Sequence, residues 1–446
     1  MLPVHDLRSE TGQIDFGRVL KRLGDTASPR GDTAATVEKI MGQVQTRRDA
    51  GLVNMMREYT DPSFGASRVR VAEDELAAAE AALDPDLRQS IERAIANVTA
   101  YQQHVMPTDP GTVKVDGAEL GMRWDAIEKV GLYVPGGTAV LFSTLVMLAV
   151  PAIVAGVKPA HIGVSCPPPT RTADDAKDDD GPGELSPVVL ATARILGIER
   201  VYRIGGAQAI AAMAYGTDRV EKVDLIAGPG NLYVQLAKGR LGGVCGTDGG
   251  FYGPSEIVTI ADDTANPAWV AADLIAQAEH DPGKCFLLSW QPEVIENVLV
   301  QIAEQLKDRT RAAAITKALK GDSCAVLAPD RDTAVEVANQ LAGEHVSLSV
   351  KDPAKMLGDI RYGGEVFLGH QTPVAAGDYH AGPSHCLPTG TTARYTSGVS
   401  VYTFLKRTGT VAYPKKGLKK QTIADIARMA QAEGLDGHAA SARVRG

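Results

Sequence analysis

Gln277 and His280, three residues apart in Gln277-Ala278-Glu279-His280-Asp281, could offer an amide oxygen and an imidazole nitrogen to one shared ion. Within a helix that spacing puts both side chains on one face. The preceding residues predict such a helix. Asn266-Pro267 reads as an N-cap with proline in the first turn, and Trp269, Val270, Leu274 and Ile275 supply its buried side. A histidine near a helix end also suits the helix dipole, and a single pair of this kind is more often an ordinary C-terminus than a metal site.

Three further groups of residues could do chemistry. Glu344-His345 sets an acid beside a base at the edge of a strand predicted over residues 346–350. Neighbours on a strand face opposite ways, which leaves one inward and one outward residue as the alternative. The stretch Gly377-Asp378-Tyr379-His380-Ala381-Gly382-Pro383-Ser384-His385 packs a carboxylate and two imidazoles into a glycine-rich loop, where Asp378 could equally form an Asx-turn. Finally, Glu433-Gly434-Leu435-Asp436-Gly437-His438 closes a predicted C-terminal helix with several titratable groups.

The elements that must carry these residues alternate between strand and helix, the pattern of parallel α/β units. Strands are predicted over residues 130–134, 162–165, 201–204 and 224–227. The first, third and fourth lead into Pro135-Gly136-Gly137, Gly205-Gly206-Ala207-Gln208 and Gly228-Pro229-Gly230-Asn231, each opening a helix. Such turns expose backbone amides at helix N-termini, where ligands of open sheets bind. None of them is the dinucleotide fingerprint, and on glycine content alone ordinary tight turns explain them better. A second set of strands is predicted over residues 257–261, 285–290, 325–327, 346–350 and 366–368. The first 130 residues read as mostly helical, with residues 32–50 and 85–103 the clearest segments.

Composition narrows the class. The chain has 446 residues, enough for two or more domains, and is 44% hydrophobic and 22% charged, ordinary for a globular protein. A net charge of -8 without a basic patch argues against a nucleic-acid or anionic-membrane partner; the densest basic run, Lys415, Lys416, Lys419 and Lys420, reads as a solvated face. No basic segment followed by an apolar core opens the chain, so a cytoplasmic location is expected. Cys166, Cys245, Cys285, Cys324 and Cys386 are scattered, which fits reduced thiols. Residues 138–157 are apolar, but Ser143, Thr144 and Pro151 interrupt them, so a buried helix is expected and not a membrane span. Residues 167–184 are acidic and rich in breakers, and read as a surface loop.

Taken in order, Gly131-Leu132-Tyr133-Val134-Pro135-Gly136-Gly137, Gly205 to Gln208, Gly228 to Asn231, Gly253-Pro254-Ser255-Glu256, Gln277 to His280, Glu344-His345, Gly377-Asp378-Tyr379 with His385, and Glu433 to His438 resemble the histidinol dehydrogenase family. The resemblance runs from about residue 27 to the C-terminus. It implies oxidation of L-histidinol to L-histidine through an aldehyde, with two hydride transfers to NAD+, ending histidine biosynthesis.

By the same resemblance, Gln277, His280, Asp378 and His438 are zinc (Zn2+) ligands that also meet the substrate. His345 is the general base, and Glu344 the carboxylate that activates water. Tyr133, Gln208 and Asn231 contact NAD, while Ser255, His345, His385 and Glu433 contact the substrate. The implied fold is α/β, with two Rossmann-like open-sheet domains of related topology in an intertwined homodimer. Residues 1–26 form a helical N-terminal arm, residues 27–132 with 255–400 the main domain, and residues 133–254 the NAD-contacting domain. Residues 401–446 are a helical tail completing the partner subunit's site.

The sequence departs from the family pattern in places. Gly343 precedes Glu344 where proline is usual, Val346-Ser347 follow His345 where leucine and an acidic residue are usual, and residues 247–252 and Cys386 are atypical. Two other functions remain open: a paralogous zinc- and NAD-dependent dehydrogenase of another small alcohol, such as a sulfonated diol, and a non-catalytic metal-binding scaffold. Glu433 disfavours the first, since a sulfonate would want a cation there. Retention of every proposed ligand and of the base disfavours the second.

Overall fold

The structure, a computed structural model, describes residues 2–26, 32–136, 141–171, 184–280, 283–414 and 417–445. Gly137, Asp281, Lys415, Lys416, the start of the apolar stretch at 138–140 and residues 172–183 of the acidic loop lie outside the described residues. The chain divides into two compact units, Met1–Val105 with Glu128–Phe404, and Met106–Ile127 with Leu405–Gly446.

In the first unit, the predicted apolar runs become buried parallel strands. One sheet is ordered Val4–Asp6, Cys324–Leu327, Lys284–Ser289, Glu256–Ala261, His345–Ser349, Glu365–Leu368, all parallel. Helices cover both faces, which is why its inner strands are buried along their whole length, with the polar Glu256, Lys284 and His345 at their starts. Pro267–Ala278 and Pro292–Gln305 bury Val270, Leu274 and Val298 on one side. Glu10–Thr26 and Arg331–Leu341 bury Phe16, Val335 and Leu341 on the other. The edge strand Val4–Asp6 falls where only an N-terminal arm was expected, because three residues are too few to show a pattern.

The second sheet of this unit is ordered Arg200–Tyr202, Ile162–Ser165, Val130–Tyr133, Leu225–Ala227, Gly246–Thr247, again parallel. Beside it, the expected apolar helix forms over Phe142–Ala155 and is buried from Ser143 to Ala152. Each large aliphatic side chain so buried contributes roughly 1.5–3 kcal/mol. Gly156, at φ 105, ends the helix in a left-handed turn that a side chain would strain. Among the described residues no helix is long and apolar enough to cross a membrane. The α/β class with parallel sheets holds.

The second unit is built differently from the expectation of a mostly helical first 130 residues. Thr112–Val115 and Ala118–Ala126 form an antiparallel hairpin, and Leu405–Ala412 joins its long strand with Leu405 opposite Ala126. The turn residues Asp116 and Gly117 both have positive φ, the Asp-Gly signature of a tight hairpin, which outweighs helix propensity here. Helices Lys420–Ala432 and Asp436–Arg443 follow, packed through Ala427, Ala430 and Ala439.

Candidate active site

His345 opens the strand His345–Ser349, flanked in register by Ile257 and Glu365. Its Nδ1 lies 3.2 Å from the carbonyl oxygen of Glu256. A carbonyl can only accept, so Nδ1 carries the hydrogen and Nε2 keeps its lone pair. That Nε2 is buried and has no hydrogen-bond partner among the described residues. Burial first, then the neighbouring His280 and His385, lower the pKa of His345 to about 3. The ring is therefore neutral near pH 7 and its free nitrogen can take a proton.

Glu344 is buried beside it. Its Oε2 accepts from the Ser255 hydroxyl at 2.5 Å and from the Glu256 N–H at 2.8 Å. Burial raises its pKa well above the usual carboxylate value, while the two donors act in the opposite direction. The His345 Nδ1 to Glu344 Oε2 separation is 3.7 Å, but a neutral imidazole makes this no ion pair. Glu256 thus holds both residues through its backbone, one by N–H and one by C=O. Its own carboxylate, 0% exposed, meets Lys284 Nζ at 3.4 Å and the Gly390 N–H at 3.1 Å. Gly343 fits tightly here: a Cβ would lie 2.6 Å from Val258 Cγ2.

Asn266 caps the helix Pro267–Ala278 through the Ala268 N–H, with Pro267 in the first turn, as the sequence predicts. Val270, Leu274 and Ile275 are buried, whereas Trp269 is 44% exposed, because the helix turns about 100° per residue and carries it off the buried face. The helix stops at Ala278, so Gln277 lies in the last turn and His280 in the turn beyond it. Gln277 is buried and its Nε2 has no partner among the described residues. His280 is exposed, yet desolvation by the surrounding protein lowers its pKa, with the charge of Asp378 opposing.

Asp378 lies in the short helix Ala375–Tyr379 and not in a loop. Burial raises its pKa, with His280 opposing. His385 donates from Nδ1 to the Asp378 carbonyl at 2.8 Å, leaving Nε2, 3.1 Å from Thr144 Oγ1, to accept from that hydroxyl. Both ring nitrogens are therefore engaged, and burial lowers the pKa of His385 to about 4. Asp273, one turn before Gln277, accepts the Val374 N–H at 3.3 Å and so ties the ligand helix to the Asp378 segment.

Imidazole, carboxylate and amide oxygen are the donors that zinc accepts, and a metal held by the Gln277 oxygen would leave its unpartnered Nε2 free to donate elsewhere. The residues fit the ion. Among the described residues, no three His, Cys, Asp or Glu side chains are grouped to hold a metal. His280, Asp378 and Gln277 are thus a set that needs completing. Glu433 and His438 belong to the second unit, where Glu433 ends the helix Lys420–Ala432, His438 sits in Asp436–Arg443, and both are exposed.

The three glycine turns follow the C-terminal ends of their strands, whereas Glu256, His345 and Glu365 open theirs. Tyr133 is buried, and its hydroxyl accepts the Gly206 N–H at 3.1 Å. Gln208 is buried, with Nε2 3.5 Å from the Met56 sulfur. Asn231 caps the helix Leu232–Gly239 through Tyr233 N and Val234 N. Gly228, at φ 122, approaches Tyr133 so closely that a Cβ would be 2.2 Å from its carbonyl oxygen. Its glycine is required for this turn.

Sequence reasoning missed Glu256, Lys284, Thr144 and Glu365. Glu256 stands inside a motif already singled out, and Glu365 is a charge at the start of an apolar strand. Thr144 carries no such signal.

The family model described as histidinol dehydrogenase matches residues 25–446. A histidinol dehydrogenase from Synechococcus sp. is 41% identical over 435 residues, covering 97% of this chain and 96% of that protein. Histidinol dehydrogenase 2 of Trichormus variabilis is 40% identical over 442 residues, with 98% and 99% covered. The crystal structure of histidinol dehydrogenase from Elizabethkingia anophelis superposes with a TM-score of 0.87 at 31% identity, covering 100% of this chain and 98% of that one. The chain belongs to the histidinol dehydrogenase family of oxidoreductases.

Proposed function

We propose that this chain oxidises L-histidinol to L-histidine through L-histidinal, in the cytoplasm, as the last steps of histidine biosynthesis. The observation that carries the proposal is the unpartnered Nε2 of a neutral His345, held in one tautomer by the Glu256 carbonyl. When bound, NAD+ accepts the hydride of each oxidation, and zinc orients the substrate by its nitrogens.

His345 Nε2 takes the hydroxyl proton as the alcohol carbon loses its hydride. At the aldehyde stage, Glu344 takes a proton from water as the water oxygen bonds to the carbonyl carbon, and loss of a second hydride leaves the carboxylate. Overall, the alcohol, one water and two NAD+ give the carboxylate, two NADH and three protons. Gln277, His280 and Asp378 would hold the zinc, with His438 as the fourth ligand. Tyr133, Gln208 and Asn231 would flank the nicotinamide cofactor, and Ser255, His385 and Glu433 the substrate.

His438 and Glu433 are assigned to the neighbouring chain's site in an intertwined homodimer, with residues 401–446 as the exchanged tail. Residues 27–132 with 255–400 form the main domain of this scheme, residues 133–254 the NAD-contacting one, and residues 1–26 the arm. The test is stoichiometry. Two NADH per L-histidinol with the zinc-loaded protein support the reading, and zinc binding without NADH would refute it.

A further inference from the structure

We infer that Glu365 is a substrate-contacting residue, whose carboxylate accepts a hydrogen from the amino group of the amino alcohol bound beside His345. The inference rests on the function proposed above and names a contact that the family resemblance does not include.

Glu365 opens the strand Glu365–Leu368 and pairs in register with His345 on the neighbouring parallel strand, so the two side chains stand on one face of the sheet. Its N–H donates to the Glu344 carbonyl at 2.9 Å. Phe367, two residues on, shares that face with its ring 5.7 Å from the His345 ring. On the other side lies Gly377. A Cβ there would be 3.0 Å from Glu365 Oε2 and 2.7 Å from Phe367 Cζ, so the carboxylate rests against the backbone just before Asp378. Glu365 therefore stands between the base and a proposed metal ligand.

Its Oε2 is buried and has no hydrogen-bond partner among the described residues. A buried acceptor left unmet is costly, more so when it is charged. Three of the protein's donors are engaged elsewhere, while the Tyr101 hydroxyl lies near enough to feel the Glu365 charge but makes no hydrogen bond to it. Lys284 serves Glu256 and Thr26, His345 Nδ1 serves the Glu256 carbonyl, and His385 Nδ1 serves the Asp378 carbonyl.

An amine is the group that answers this demand. In a 2-amino alcohol the amino carbon adjoins the carbon whose hydroxyl faces His345, the same adjacency that the sheet register gives Glu365 and His345. The amine keeps N–H donors even when its lone pair is engaged. Among the described residues, the competing donors are Gln277 Nε2, which has no partner there, and the Tyr101 hydroxyl.

The test compares the zinc-loaded full chain with Glu365→Ala and Glu365→Gln. Glu365→Gln preserves volume and guards against a folding defect. The readouts are KM and kcat for L-histidinol, the inhibition constant of the deaminated analogue 3-(imidazol-4-yl)propan-1-ol, and bound zinc. Glu365→Ala is expected to raise KM at least tenfold and Glu365→Gln by less, with kcat within about threefold, the analogue's constant within twofold and zinc unchanged. An equal loss for both ligands, an unchanged KM, or a fall in bound zinc that marks the carboxylate as the partner of Gln277, would each overturn the inference. Wild-type protein that makes no NADH from L-histidinol would remove the proposed function instead. Calorimetric binding of L-histidinol and the analogue to wild type and Glu365→Gln then decides the contact separately.

Discussion

The carbonyl of Glu256 and the Nδ1 of His345 meet at 3.2 Å, and this one bond decides which imidazole nitrogen is free. The same residue's N–H reaches Glu344 at 2.8 Å. Base and acid are thus referenced to a single backbone position, at the start of a strand whose fully buried side chain is anchored by Lys284 and Gly390.

Replacing His345 by Asn removes the proton acceptor and keeps a polar group of similar reach. The first oxidation should slow by about 10²–10⁴-fold. Bound zinc should stay at the wild-type level, because His345 is not in the ligand set. Alcohol turnover measured with metal analysis checks both, and full activity in His345→Asn would remove His345 as the base.

Ser255→Ala deletes the shorter of the two hydrogen bonds to Glu344. Bonds to an ionised acceptor are worth roughly 1.5–3 kcal/mol, so oxidation of the aldehyde should fall about ten- to a hundredfold at neutral pH. The sign on pH follows from the lost donor. The ionised carboxylate is less favoured, its pKa rises further, and the acidic limb of the aldehyde-oxidation profile moves to higher pH. A profile that stays in place would show that Ser255 does not tune Glu344.

Asp273 is only partly exposed, and burial raises its pKa to about 6 from an ordinary value of 3.8. A carboxyl whose folded pKa lies above its unfolded one lowers stability as pH rises between the two values. Asp273→Asn keeps an acceptor for the Val374 N–H without that penalty. The variant should be more stable than wild type at pH 8, by at most about 3 kcal/mol, and the gap should close as pH falls through 6 toward 4. Denaturant unfolding across that range measures it; a gap independent of pH would contradict the assignment.

Ending the chain before Glu433 removes His438 and Glu433 together. The first unit keeps its own buried clusters, so its parallel-sheet structure should survive by circular dichroism, while zinc retention and turnover are lost. Mixing this truncated chain with a full-length His345→Asn chain tests the exchange proposed between subunits. Restored activity in mixed dimers is the expected outcome, and a truncated chain that turns over alone would end the shared-site proposal.

Much of the scaffold was legible in the sequence because it rests on local rules. Apolar runs bounded by glycine and proline marked the inner strands of both parallel sheets, and Asn266-Pro267 marked the start of the ligand helix. Elements whose signals were short or weak were not legible. Val4–Asp6 is three residues long, and the hairpin at Asp116-Gly117 lay in a stretch that reads as mostly helical.

By itself, then, the sequence determined the α/β alternation, the glycine turns and the inventory of chemical groups: Gln277, His280, Glu344, His345, Asp378 and His385, with Glu433 and His438 near the C-terminus. Only the tertiary structure decided what those groups can do. The tautomer of His345, the two donors on Glu344, the Thr144 contact of His385 and the unmet oxygen of Glu365 all arise between residues far apart in the chain. Sequence patterns report which face of an element is buried. Which atom meets which across a sheet depends on strand register and on loops packed from elsewhere, and no local periodicity carries that information.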